Sequence, residues 1–331
     1  MHRPMIRGAA AALMLAAAFA AVPGAAHAQA YPSKPVRVIL PFPPGGALDG
    51  FFRALAQPVN ESFGQLVIEN RPGASGIIGA DACAKAAPDG YTLCTLTSDS
   101  LTYNPVLFRK LPYDADADFA PITNFVSINT LLIGSAKAPM NNFKEMISYA
   151  KANPGKLNWA TWGTGTIPEV YLLWVKHQWG VNITAVPYKG AGNAVPAMLS
   201  GESDVSFITV GFAVAQAKSG KVKPIAIVGN KRSPAFPNVT TLTEEGGDPG
   251  LDEWYGILAP AKTPTAVINR VNAEFVKALK LPKSQELMSA QTLDPVGNSP
   301  AEFGAFLRTN RQNAAKLFQT LGIQPTDAPG S

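Results

Sequence analysis

The feature that most constrains this chain is a unit that occurs twice: an apolar, β-branched run, a loop rich in Gly and Pro, then a stretch with one apolar helical face. Residues 34–40 (KPVRVIL) read as a strand, 41–46 (PFPPGG) as a rigid loop, and 48–63 as a helix. Leu48, Phe51, Phe52, Leu55 and Val59 recur at helical spacing along that helix. A strand (65–69), a loop (71–76), a helix (77–86) and a third strand (91–97) follow. The unit returns as strand 157–161, loop 162–166 (WGTGT) and helix 168–179. Strand 183–187, loop 188–192, helix 194–200, strand 205–209, helix 212–219 and strand 225–228 complete it. Strands 118–126 and 129–135 lie between the two copies, and helices are expected over 142–153, 264–279 and 300–321. Such alternation specifies an α/β fold whose sheets are mostly parallel and covered by helices.

The N-terminus has a different character. Arg3 and Arg7 precede an uncharged apolar run over 8–22, Pro23 and Gly24 break it, and Ala26-His27-Ala28 places small residues at a cleavage point. That order is the order of an export signal, cut after Ala28. The run is shorter than the roughly 20 residues that span a bilayer. Cleavage takes away two arginines and lowers the net charge from +5 to +3. With no Lys/Arg run longer than Lys231-Arg232, no nucleic-acid footprint is expected.

Reactive residues are scarce. Of three histidines, His2 and His27 fall in the leader, which leaves His177, and the only cysteines are Cys83 and Cys94. A His/Cys metal site needs three or four ligands and is excluded. No cofactor is expected: a GxxxxGK[ST] loop is absent, and 163–166 (GTGT) lacks the rest of a dinucleotide fingerprint. In an oxidising compartment two cysteines are expected to pair, Cys83 on its helix with Cys94 on the next strand; two buried free thiols are the alternative.

Parallel sheets bind ligands beyond the carboxyl ends of their strands. The two Gly-rich loops, 41–49 and 161–168, lead into helix N-termini, where backbone N–H groups and the helix dipole favour an anion. Neither loop contains Lys or Arg. An anion there would rest on backbone N–H groups from 45–49 and 163–166 and on hydroxyls such as those of Thr164 and Thr166.

The segments 31–46 (YPSKPVRVILPFPPGG), 69–76 (ENRPGASG), 88–93 (PDGYTL), 149–156 (YAKANPGK), 187–190 (PYKG) and 254–260 (WYGILAP) carry a resemblance. In order and over nearly the whole mature chain, they resemble the Bug or TctC-like receptors of tripartite tricarboxylate transporters. The resemblance implies a type II-like "Venus flytrap" with two crossing strands, one domain holding 30–125 and 253–331 and the other 126–252. It implies a monomeric periplasmic receptor, not an enzyme, that closes on a small carboxylate and docks on membrane transporter subunits or on a sensor.

Carried over, the ligand loop is Phe42, Pro43, Gly45, Gly46, Leu48 and Asp49, and the facing loop is Thr161, Trp162, Gly163, Thr164, Gly165 and Thr166. Thr97, Ser98 and Tyr188 line the same cleft. Three positions depart from the family's pattern: Leu48 replaces a common threonine, Trp162 a small residue, and Glu169 a frequent histidine. The first two make the cleft more apolar, so the expected ligand is a carboxylate with an apolar or aromatic body. Two alternatives stand beside this: a sensory co-receptor without a transport role, and an exported hydrolase using Ser98 with His177.

Overall fold

β-branched and aliphatic side chains form β1 (Val36–Leu40), in which only Arg37 escapes burial. The computed structural model describes residues 31–45, 47–163 and 166–328, and only the backbone at Ala47. The expected leader with its cleavage point after Ala28, and Gly46, Thr164 and Gly165, lie outside the described residues.

After β1 come α1 (Ala47–Ser62), β2 (Leu66–Asn70), α2 (Ile77–Ala84) and β3 (Thr92–Thr97). A wide π-type turn at Asp99–Tyr103 runs into the short α3 (Asn104–Leu107). β4 (Phe119–Ile128) passes through the single residue Asn129 into β5 (Thr130–Ser135). There follow α4 (Phe143–Ala152), β6 (Asn158–Thr161), α5 (Ile167–Trp179), β7 (Thr184–Pro187) and α6 (Ala191–Ser200). β8 (Val205–Thr209), α7 (Val210–Lys218) and β9 (Val222–Ile227) end the second half. The chain returns through 228–253 to β10 (Trp254–Pro260), α8 (Thr265–Leu279), α9 (Pro282–Ala290), β11 (Leu293–Pro295) and α10 (Pro300–Thr320). α9 and β11 are absent from the sequence-based expectation.

Two sheets result, ordered β11-β4-β10-β3-β1-β2 and β7-β6-β8-β5-β9. Each is mixed, which corrects the expectation of mostly parallel sheets. β1 pairs parallel with β2 and β3, and β6 with β7 and β8, as crossover helices require. β10 runs antiparallel to β3, and β5 to β8. Neither of these strands is tied to its neighbour by a crossover helix; each enters its sheet after the chain has been in the other one. The strand beside β3 thus comes from the second sheet, and the strand beside β8 from the first.

Aromatic rings fill each half. Phe51 and Phe52 of α1 meet Phe125 of β4 at 6.0 Å, and Phe52 meets Phe275 of α8 at 5.9 Å. In the second half Phe207 of β8 packs on Trp159 of β6 at 5.6 Å and on Tyr171 of α5 at 5.0 Å. Each ring so buried contributes about 1.5–3 kcal/mol. Cys83 on α2 and Cys94 on β3 form a disulfide, with Cα atoms 6.1 Å apart.

Candidate functional site

β1 and β6 occupy equivalent positions in the two sheets, each flanked by two parallel strands. The loops that follow them, 41–46 and 162–166, therefore leave equivalent strand ends and enter the N-termini of α1 and α5.

A buried carboxylate organises the first loop. Asp49, 3% exposed, accepts from Gly45 N at 3.0 Å, from Arg53 Nε at 2.9 Å and from Asn70 Nδ2 at 2.9 Å. Asn70 also donates to Phe42 O at 2.9 Å and accepts from Arg53 Nη2 at 3.0 Å. These donors, the Arg53 guanidinium above all, hold the Asp49 carboxyl down at about 2. Gly79 of α2 supports the loop from beneath: a Cβ there would stand 2.7 Å from Pro41 Cβ, so only glycine admits the loop this closely.

The expected set of loop residues divides accordingly. Leu48 is buried like Asp49, whereas Phe42, Pro43 and Gly45, with Pro44 between them, are accessible. The Gly45 N–H is committed to Asp49, which corrects the expectation that it awaits an anion. Phe42 faces Tyr255 of β10 with ring centroids 6.4 Å apart.

Neutral contacts hold the facing loop. Tyr188 N donates to Thr161 O at 3.0 Å, Gly190 N to Trp162 O at 3.1 Å, and Thr166 Oγ1 to Gly163 O at 2.6 Å. Thr166 occupies the N-cap position of α5 without a side-chain cap bond; its hydroxyl closes the loop instead. Trp162 is half-buried against the core, and its Nε1 is sealed from solvent without a hydrogen-bond partner among the described residues. The Tyr188 hydroxyl is spent on Glu202 at 3.0 Å and Ser203 at 3.1 Å, within its own half of the chain.

Thr97 ends β3 and Ser98 follows it, 2% and 1% exposed. Ser98 hydrogen-bonds the Tyr103 side chain, and His177 is exposed on α5, so no contact among the described residues pairs them as nucleophile and base.

Two acidic residues outside the expected set complete the site. Asp99 follows the end of β3, and burial pushes its carboxyl up to about 7 against an opposing hydrogen bond from the Ile167 backbone at the α5 N-terminus. A residue just beyond the first sheet thereby meets the helix that follows the second Gly-rich loop. Glu253 precedes β10, and burial together with the Asp99 charge pushes it up to about 8. Asp99 lies two residues beyond Thr97, and Glu253 two residues before its register partner Tyr255, so both stand at the same end of the sheet. One oxygen of each carboxyl is sealed from solvent and has no hydrogen-bond partner among the described residues. The signal in the sequence was an acid beside an apolar strand, Asp99 just after 92–97 and Glu253 just before 254–260.

The void where the two sheets meet is small, about 30 Å³, lined by Phe51, Ile128, Thr209, Tyr255, Gln291 and Leu293. A larger hollow of about 300 Å³, bordered by Asn141, Lys144 and Glu245, lies on the second half away from both loops.

The family model of the tripartite tricarboxylate transporter family receptor matches residues 51–323. This chain is a member of that receptor family. A UPF0065 protein of Bordetella pertussis is 33% identical over 91% of this chain and 93% of its own length. BugT of the same organism is 31% identical over 93% and 95%. Among solved structures, the periplasmic binding protein BugD superposes with a TM-score of 0.82 at 30% identity, covering 89% of this chain and all of BugD. An adipate-bound protein of R. palustris gives 0.82 at 29% identity over 89% and 100%, and malate-bound MatC of Rhodopseudomonas palustris gives 0.78 at 29% over 87% and 99%. The family is one of receptors, and the two-lobed α/β architecture is shared along nearly the whole chain. Among the described residues, no helix is long and apolar enough to cross a membrane.

Proposed function

We propose that this receptor works in the periplasm, where it captures a small organic carboxylate between its two lobes and delivers it to a tripartite tricarboxylate-type transporter. The observation that carries this reading is the equivalence of the two loops. Each leaves the carboxyl end of the matching strand, and each feeds a helix N-terminus that favours negative charge. The adipate and malate held by the two relatives fit the same chemistry.

The lobes are 30–125 with 253–331, and 126–252, hinged at Asn129 and along the return through 228–253. The lobes part to admit a ligand and close upon it by hinge motion. Phe42, Trp162 and Tyr255 bring aromatic surface to the site and favour a ligand with an apolar or aromatic body. Mature protein starts after Ala28 and acts as a monomer.

Ligand-induced melting shifts across aliphatic, aromatic and tricarboxylic acids test this reading. An upward shift of several degrees with an aliphatic or aromatic acid, and none with the corresponding amide, is expected. Equal shifts with acid and amide would remove the carboxylate from the account, and a response to citrate alone would remove the apolar body.

A further inference from the structure

We infer that Gly211 and the Gln291–Thr292 turn form a stop beside the hinge, which lets the lobes close fully only because Gly211 has no side chain. Both are positioning residues for ligand capture. The inference rests on the two-lobe reading above and deepens it by naming what limits closure.

The contact joins the lobes. Gly211 lies in the first turn of α7 in the second lobe, and Gln291 and Thr292 make the turn between α9 and β11 in the first. A Cβ on Gly211 would stand 2.5 Å from Gln291 O and 2.7 Å from Gln291 C. Those are backbone atoms and cannot swing aside as the end of a side chain would. The φ of Gly211 lies outside the left-handed region, and alanine is the better helix former. Glycine at this position is therefore explained by the close approach of two backbones, not by torsion.

The turn that meets it is held in place. Thr292 has a φ of +52°, a left-handed backbone that β-branched residues avoid. Its hydroxyl donates to Gln291 O at 2.7 Å, and its carbonyl accepts from Asn129 Nδ2 at 3.3 Å. Asn129 Nδ2 also donates to Asp294 Oδ2 at 3.0 Å. Strain of this kind persists only where neighbours fix the backbone, so the turn resists a wedge.

Asn129 ties both sides of the contact to the hinge. Its side chain holds the first-lobe turn, while its carbonyl accepts from Val210 N at the start of α7, at 2.9 Å. Rotation of one lobe about Asn129 changes the separation of Gly211 and Gln291 directly. The same arrangement brings the ligand ends of the lobes together, since Asp99 beyond β3 accepts from the Ile167 backbone of α5. It is the closed arrangement, and an atom added at Gly211 opposes it. Val210 and Ala213 pack in the core of the second lobe, whereas Gly211 is partly open to solvent and Phe212 is exposed. A small side chain at position 211 thus meets the first lobe and leaves the packing of its own lobe intact.

Small-angle scattering of the purified receptor tests this, with the wild type set against Gly211→Ala and Gly211→Val. Each is measured alone and with adipate, malate or 3-phenylpropanoate in excess, alongside calorimetric titration and urea unfolding. The wild type is expected to contract with an acid that it binds. The variants are expected to keep a larger radius of gyration under the same acid, and Gly211→Val to bind it about tenfold more weakly. Their urea midpoints without acid should match the wild type's. Thr292→Gly frees the turn and is expected to restore most of the affinity lost in Gly211→Ala. Variants that contract and bind as the wild type does would overturn the inference. So would a loss of affinity that Thr292→Gly leaves in place, which would make the contact a support of the fold alone. Should Gly211→Val not fold, Gly211→Ala with and without Thr292→Gly decides the matter. Should no acid contract the wild type, the capture reading falls and scattering without acid decides the inference: larger radii in the variants uphold it, and equal radii overturn it.

Discussion

The two ligand loops occupy equivalent places and are held by opposite means. The first is fastened by charge: Asp49, Arg53 and Asn70 tie Gly45 and Phe42 into one network on a carboxylate that is 3% exposed. Among the described residues, the facing loop is fastened by neutral hydrogen bonds from Tyr188 N, Gly190 N and the Thr166 hydroxyl, and a carboxyl enters only at its end, where Asp99 accepts from the Ile167 backbone. The disulfide also belongs to the first lobe, between α2 and β3. Charge-assisted bonds are stronger and more directional than neutral ones. On the proposed function, the difference makes the first loop a preset platform and the second the part that adapts to the ligand on closure.

Removing the platform's centre has the largest expected effect. Asp49→Ala orphans the Gly45 N–H and the Asn70 amide, and should cost about 3 kcal/mol of stability in urea unfolding, with loss of ligand binding. Asp49→Asn should cost less, because the shape remains. Next comes the disulfide. Replacing Cys83 and Cys94 by Ser should lower stability by about 2–3 kcal/mol. Ligand affinity should change little, since the bridge stiffens the lobe and touches neither loop.

The pH dependence divides the molecule in the same way. Asp49 is held at about 2, below its unfolded value, so its contribution is full above about pH 4 and is lost as pH falls toward 2. Asp99 and Glu253, raised to about 7 and about 8, do the reverse: their contribution is full below about pH 4 and is lost as pH rises through 7 and 8. Melting temperature should therefore fall on both sides of a maximum near pH 4. Asp99→Asn should raise it above pH 8 by on the order of 3 °C, and Asp49→Asn should flatten only the acid side. The smallest effect belongs to the adaptive loop. Thr166→Val removes one hydroxyl bond to Gly163 O and should cost about 1 kcal/mol, with an equal or larger loss of ligand affinity. A stability loss matching that of Asp49→Ala would erase the distinction between the loops.

Much of this was legible in the residues. Apolar periodicity marked β1 with α1 and β6 with α5, and the Gly-rich runs between them marked both loops. Cys83 and Cys94 were pairable because a turn folds their helix beside the next strand. Sheet order was not legible, since nothing local to 254–260 announces that β10 slots between β3 and β4 and runs antiparallel to both. Asp99 and Glu253 escaped for the same reason: they lie far apart in the chain, and only the pairing of β3 with β10 brings the segment after one strand and the segment before the other to the same end of the sheet. α9 escaped because Leu287 and Met288 are its only large apolar residues and make no helical stripe.

A crystal structure with the aliphatic or aromatic acid that gives the largest melting shift tests the central claim most directly. The expected result is a ligand carboxylate between residues 42–49 and 161–167, with lobes closed about it. Density for the acid in the hollow beside Asn141 and Lys144, with the cleft unchanged, would contradict the account.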